Sequence, residues 1–273
     1  MRFWKAAAGI ALVATAGAMG WRAPEGVAAA GAQALLARVK KLNDTTRKWT
    51  DRTQHLKLTI VSRRGSERHR EVQIQTKKYG EDASRSLLFF LAPAEVRGVG
   101  ILQWLEPEGP DRQWLYLPAL KRVRQITGAS KHESFVGTDF SYDDLAIISE
   151  VMDWSEQEAP SAPAGDETVD GHACAVIDRE PTESVDVGYG RIRLWLDRDE
   201  LVVRKLEFYD TGRLEKTLLL SDISPVGRIP SAHQMEMRSE RGGSHTVVEF
   251  EEIRYDTGLK DDVFSERRLE RGV

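Results

Sequence analysis

The sequence predicts a mainly β protein with some α: one large antiparallel sheet that curls, with helices covering an apolar concave face. Three observations predict it. A dozen short segments alternate apolar and polar residues, the pattern of half-buried strands. Most are separated by two to eight residues that include Gly, Pro, Asp or Asn, the spacing of hairpins and meanders. Only two or three segments have helical periodicity, too few to fill the concavity that so wide a sheet makes as it twists.

The chain opens with MRFWKAAAGIALVATAGAMG, in which Arg2 and Lys5 precede a short apolar run rich in Ala and Gly. This is the form of a secretory signal peptide rather than a membrane span. Small residues at Ala16 and Ala18, and again from Val27 to Ala30, place cleavage near 18/19 or 29/30, with the later site preferred. Residues 1–29 are thus expected to be leader, and residues 30–273 a single exported domain in the periplasm. Cys174 is the lone cysteine, so no intrachain disulfide forms and no cysteine follows the leader to carry a lipid. Removing the leader takes away Arg2, Lys5, Arg22 and Glu25, which moves the formal charge from −4 to −6. Such an acidic chain gains nothing from counterion release, so nucleic acid is not an expected partner.

A first helix is predicted over Gln33 to Asn43, where Leu35, Leu36, Val39 and Leu42 share a face. Strands follow at 55–62, 69–78, 86–91, 100–105, 113–117 and 121–126, then at 173–179, 191–197, 202–209, 216–224, 232–239 and 245–255. The long interruption holds SFVGTDFSYDDL at 134–145. Ser141 with Asp144 three places on has the form of a capping box. Leu145, Ile148 and Met152 then fall at helical spacing, which predicts a short helix from Tyr142 to Asp153. Asp143 and Asp144 sit in its first turn, where negative charge complements the macrodipole. Asp139 reads as an Asx-type turn residue. The segment at 155–168 is rich in Pro, Ala and acids without apolar period, and is expected to be a flexible surface excursion.

Catalytic patterns are absent from the sequence: no G-x-S-x-G, H-E-x-x-H, G-x-G-x-x-G or Walker loop occurs. The six histidines are scattered singly, and no acid or histidine stands at metal-ligand spacing beside the Asp139, Asp143 and Asp144 carboxylates. Cys174 lies in a predicted strand and reads as a small core residue. The expectation is a binding protein without catalytic residues, cofactor or metal.

What remains is apolar surface on strands. Leu88, Phe90, Leu102, Trp104, Leu115, Leu117, Ile192, Leu194, Leu196, Leu206, Phe208, Val248 and Phe250 are assigned to one face, and a curled sheet incompletely filled by helices makes that face a ligand cavity. Leu115 and Leu117 are preferred over Trp114 and Tyr116 for the inner face, because aromatic polar tips tolerate a wetter surface. Trp195 is placed outside by the same reasoning.

The pair WLYLPALKRVRQI (114–126) and ESFVGTDFSYDDL (133–145), with VDGHACAVIDREP (169–181), RIRLWLDRDELVVRKLEFYD (191–210) and TGLKDDVFSERRLE near the end, resembles the outer-membrane lipoprotein-sorting, LolA-like family of periplasmic carriers. The resemblance implies an unclosed half-barrel whose cavity holds acyl chains of a lipid or lipoprotein. It also implies a lid. Phe135, Gly137, Phe140 and Tyr142 would form the root and hinge of that lid, with Leu145, Ile148 and Met152 facing the cavity. Arg122 and Arg124, on one face of a strand, are candidate contacts for lipid headgroups or a partner surface. The implied partners are an inner-membrane transporter of the resistance-nodulation-division type and an outer-membrane acceptor. The alternative is a stationary lipid-binding accessory or sensor of such a transporter, distinguished by whether the protein leaves the membrane with cargo. A headgroup-processing enzyme is a third class, and it lacks a catalytic set.

Overall fold

The computed structural model describes residues 25–80, 83–106, 112–127 and 131–272; most of the expected leader, residues 1–24, lies outside them. Helix α1 (Glu25–Asp44) leads into β1 (Asp51–Val61), β2 (Glu67–Lys78), β3 (Ser84–Ala92), β4 (Gly100–Leu105), β5 (Arg112–Leu117) and β6 (Arg122–Ile126). Helix α2 (Tyr142–Glu150) separates these from β7 (Ser161–Val169), β8 (His172–Arg179), β9 (Arg191–Asp197), β10 (Val203–Asp210), β11 (Arg213–Val226), β12 (Ile229–Ser239) and β13 (His245–Tyr255). A short helix α3 (Glu266–Arg271) follows. No helix of the described residues is long and apolar enough to cross a membrane.

Among the described residues the strands form one 13-stranded sheet in the order β6-β5-β4-β3-β2-β1-β13-β12-β11-β10-β9-β8-β7, and every pairing is antiparallel. Two meanders are joined where β1 meets β13. The outermost strands, β6 and β7, do not pair with each other, so the sheet stays unclosed, as predicted.

Directly opposed residues in an antiparallel pair share a face, so the register sorts the apolar positions. Leu56, Leu58, Val72, Leu88, Ile101, Leu115, Ile192, Leu194, Leu206, Phe208 and Val248 converge on the concave face. Helix α1 contributes Ala32, Leu36 and Val39 to this core, and α2 contributes Ile147. The segment after α2 adds Trp154 and Ala159, pinned by the buried Arg179, whose guanidinium donates to the carbonyls of Trp154, Ser155 and Ala159. Burial pushes that guanidinium below its usual pKa, and the three carbonyls supply the partners that water would otherwise give.

The convex face is also apolar over β3 to β5. Leu87, Phe89, Leu102 and Trp114 pack against Phe264 and Leu269 from the C-terminal segment. Gly100 makes the approach of α3 fit: a Cβ there would stand 2.4 Å from the Phe89 ring and 2.7 Å from Leu269.

Two expectations are corrected at this level. Residues 155–168 are not a flexible excursion: Ser155 to Ala159 form turns, and Ser161–Val169 is the edge strand β7, paired along its length with β8. Pro163 and Gly165 flank a register shift in β7, the placement an edge strand allows because one row of its amides needs no partner. The first helix spans Glu25–Asp44 rather than Gln33 to Asn43.

Candidate functional site: a cavity beneath helix α2

The cavity lies between α2 and the middle of the sheet, and encloses about 770 Å3. Its floor is graded along the strand direction. On β1 the inward residues run Leu58, Leu56, Gln54, Arg52; on β2 they run Val72, Ile74, Thr76, Lys78; on β3 they run Leu88, Ser86, Ser84. Strand β2 opposes Leu56 with Val72, Gln54 with Ile74 and Arg52 with Thr76, so β1 and β2 each run from aliphatic through amide or hydroxyl to a cation, one step apart, while β3 runs from aliphatic to hydroxyl. Strand β13 adds Val248, Phe250, Ile253 and Tyr255, and Leu220 and Met235 complete the far wall. Thr76 and Ser86 hydroxyls bond each other at 3.0 Å, which keeps the middle zone polar but satisfied.

The roof is α2 and its approaches. Phe135, Phe140, Leu145, Ile148, Met152 and Trp154 all line the cavity. Tyr142 stacks edge-on against Phe135, which in turn packs on Phe90. Ser141 caps the helix: its hydroxyl accepts from the Asp144 amide, and the Asp144 carboxylate accepts from the Ser141 amide at 2.6 Å, a complete capping box. Val136 and Gly137 are successive left-handed residues (φ +48° and +76°), and Arg68 donates to the Gly137 carbonyl at 3.1 Å.

The acids of this segment do more than complement a helix dipole. Asp144 is fully buried and also accepts from the Tyr189 hydroxyl at 2.7 Å and from Lys216, which ties α2 to β11. Asp143 accepts from the Gly188 amide at 3.1 Å and lies 2.7 Å from His132 Nδ1; burial pushes its carboxyl above the usual range against the opposing pull of His132. Asp139 accepts from Ser244 and, at 2.6 Å, from Thr246 on β13, so it anchors the loop to the sheet instead of closing a local turn. The spacing of SYDDL revealed the cap. The three long-range partners, Tyr189, Lys216 and Thr246, lie 45 to 107 positions away and carry no local signal.

Of the residues assigned to the cavity from sequence, Leu88, Val248 and Phe250 line it. Phe90, Leu115, Leu117, Ile192, Leu194, Leu196, Leu206 and Phe208 share the concave face but belong to its packed core. Ile192, Leu194 and Leu196 have no exposed surface, because α1 and the segment from Trp154 to Ala159 fill that half of the concavity. Leu102 and Trp104 are corrected to the opposite face, where they pack with Phe264; Ile101 and Leu105 take the inward positions of β4. Trp195 is on the convex face as expected but is buried, its indole N–H donating to Glu167 at 2.9 Å. Arg122 and Arg124 are exposed on edge strand β6, register partners of Leu117 and Leu115, away from the cavity lining; Arg124 lies 3.8 Å from Glu133. Cys174 is buried beside Val176 and Trp195, and burial pushes its thiol up.

His172, Asp197 and Glu200 converge at the outer end of β9 with donor atoms within 4.8 Å of one another. Arg204 occupies the centre of the group, donating to Asp197 at 2.7 Å and to Glu200 at 2.6 Å, with His172 Nδ1 at 3.0 Å. A guanidinium already supplies the positive charge there, and the cluster is an ion-pair network at the β9–β10 turn.

A family model described as "Uncharacterized protein" matches residues 82–271. No curated protein shows significant similarity to the chain. Among solved structures, a domain from Vibrio parahaemolyticus assigned as an outer membrane lipoprotein-sorting protein is 28% identical, with a TM-score of 0.79 over 89% of this chain and 100% of that one. A LolA superfamily protein from Nitrosomonas europaea shares the fold at 17% identity and a TM-score of 0.65, over 87% of this chain and 98% of that one. A DUF1329 family protein from Desulfovibrio piger is 30% identical with a TM-score of 0.80, over 89% of this chain and 99% of that one. With a family model spanning most of its length and 30% identity across a whole solved relative, the chain belongs to the DUF1329 family, and it shares the LolA fold.

Proposed function

We propose that the protein binds acyl chains of a lipid or lipoprotein in the cavity beneath α2 and carries them through the periplasm toward the outer membrane. The observation that carries this reading is the cavity itself: about 770 Å3, with an aliphatic floor and a roof made by one short helix. That volume is in the range of small-molecule sites, roughly 300–1,000 Å3. Burial of each methylene is worth about 0.8 kcal/mol, so a sixteen-carbon chain crossing water unprotected forfeits on the order of 12 kcal/mol. A carrier recovers this by offering apolar walls and needs no chemistry.

The roof suits loading and release. Leu145, Ile148 and Met152 are only partly buried and face the void, while polar contacts of Asp139 and Asp144 moor the start of the helix. Swinging α2 outward about the Val136–Gly137 pair would uncover the floor, at the cost of the Asp139 and Asp144 contacts and of the Ile147 packing. An inner-membrane transporter would donate cargo and an outer-membrane component would accept it.

Native mass spectrometry of the protein isolated from its own periplasmic fraction tests the reading. Acyl-lipid or lipoprotein adducts that organic extraction removes are the expected result. A bare polypeptide mass, together with failure to take up acyl chains in vitro, would sink it.

A further inference from the structure

We infer that the cationic end of the cavity is a head-group subsite, selecting amphiphiles whose head carries an anionic phosphate-type group. This rests on the acyl-binding reading and narrows its substrate class. Arg52 and Lys78 lie on adjacent strands and point to the same concave face, beyond the hydroxyl zone of Thr76 and Ser86. Both lean on one indole: the Arg52 guanidinium carbon is 5.1 Å and Lys78 Nζ 4.8 Å from the ring centroid of Trp49.

Among the described residues both cations lack an anion: neither has a carboxylate within 4.0 Å, and Arg52 Nε is buried with no hydrogen-bond partner. The fully buried cations are answered, Arg179 by three carbonyls and Arg204 by Asp197 and Glu200, while Arg70 and Arg191, like Arg52, each keep one buried Nε without a partner among the described residues. Of the acids on the cavity wall, Glu106 faces Arg85 and Arg112, Glu158 accepts from Ser155, and Glu150 and Asp153 are engaged in interactions of their own. Two like charges held against one ring, one with an unmet buried donor, are stable together when an anion bridges them, and charge-assisted bonds from a guanidinium and an ammonium fit the oxygens of a phosphate.

The grading of the floor gives the ligand its polarity. A chain lying on Leu56, Leu58 and Leu88 would pass a glycerol or ester linkage across Gln54, Thr76 and Ser86 and end with its head at Arg52 and Lys78. Free phosphate meets only the last of these zones. An amphiphile meets all three.

Isothermal titration calorimetry on the purified, delipidated protein with hexadecyl phosphate, hexadecanol and inorganic phosphate tests the subsite. Hexadecyl phosphate is expected to bind at least about tenfold more tightly than hexadecanol, and millimolar inorganic phosphate to leave both unaffected. The Arg52→Gln/Lys78→Gln variant should lower hexadecyl phosphate to the hexadecanol level and leave hexadecanol unchanged; Arg52→Lys/Lys78→Arg, which keeps both charges, should retain the preference and guards against misfolding. Equal binding of the two amphiphiles by the wild type, or a preference that survives the double Gln variant, overturns the subsite and leaves acyl binding standing. Competition by inorganic phosphate at the affinity of hexadecyl phosphate overturns the choice of an amphiphile. If neither hexadecyl ligand binds, the acyl-cavity reading fails, and the subsite with it.

Discussion

At the scale of single residues, the carboxylates of the chain divide by how they are satisfied. Asp144 carries the capping bond, the Tyr189 hydroxyl and Lys216 in a site with no solvent exposure. A dipole argument from sequence gives the charge a value of about 0.3–1 kcal/mol. Burial raises the stake, because Asp144→Asn strands the Lys216 ammonium in a mostly buried position. Urea denaturation should show a loss of about 2–4 kcal/mol, and Lys216→Met in the same background should recover part of it. A loss under 1 kcal/mol would return Asp144 to a simple capping role. Asp51 offers a pH test. Burial pushes its carboxyl up, but bonds from the Thr257 hydroxyl and amide and the Gly258 amide outweigh burial and hold it below the usual range. A depressed carboxyl stabilises the fold above its unfolded pKa, and that contribution is lost as pH falls through the folded value. The gap in stability between wild type and Asp51→Asn should therefore be full at pH 7 and close only below the ordinary carboxylate range. A gap that stays constant to pH 2 would show that the charge of Asp51 does not contribute.

At the scale of elements, α2 is a nine-residue helix too short to be stable alone, so its cap and its apolar face against the cavity decide its population. Ser141→Ala removes the hydroxyl acceptor of the Asp144 amide and should cost about 1 kcal/mol. If α2 opens as a lid, hydrogen exchange at Tyr142 to Glu150 should quicken about fivefold in this variant while β8 to β10 stay as protected as before. Uniform acceleration across the sheet would mean that α2 opens only with global unfolding. Strand β7 shows the complementary case. Its central residues are mostly exposed and its composition reads as linker, yet Trp195, Arg198 and the β8 backbone hold it in the sheet through Glu167, Asp166 and the ladder.

For the whole molecule, the concave face is divided between a filled half and a hollow one. Leu194 has no exposed surface and sits among α1 and β8 to β10, whereas Phe250 is partly exposed to the cavity. Phe250→Asp should fold, with circular dichroism like wild type, and should weaken binding of a fluorescent fatty-acyl probe, since the new charge must lose water against the chain. Leu194→Asp should fail to fold. Folded Leu194→Asp protein with weakened probe binding would move the cavity to the other half of the sheet. Trp104→Ala, on the far face under the Phe264 segment, should reduce stability without changing probe affinity.

The strands other than β7, the capping box and the inward choice of Leu115, Ile192 and Leu194 were legible because alternation and caps are local and each needs only a few neighbouring residues. The resemblance of the motifs at 114–145 led to the half-barrel, and the sheet order matches it. Which apolar positions line a void was a different matter. In GILQWL both parities are apolar, since Ile101 and Leu105 face α2 while Leu102 and Trp104 meet Phe264 and its neighbours, and nothing within six residues separates the two. The register of Leu88 opposite Ile101 makes that choice, and register is a property of pairing between strands. The graded floor that ends at Arg52 and Lys78 exists only after β1, β2 and β3 are laid side by side. Sequence determined the alternation of each strand; the tertiary structure decided what each face meets, because filling or leaving a hollow depends on where α1, α2 and α3 come to rest.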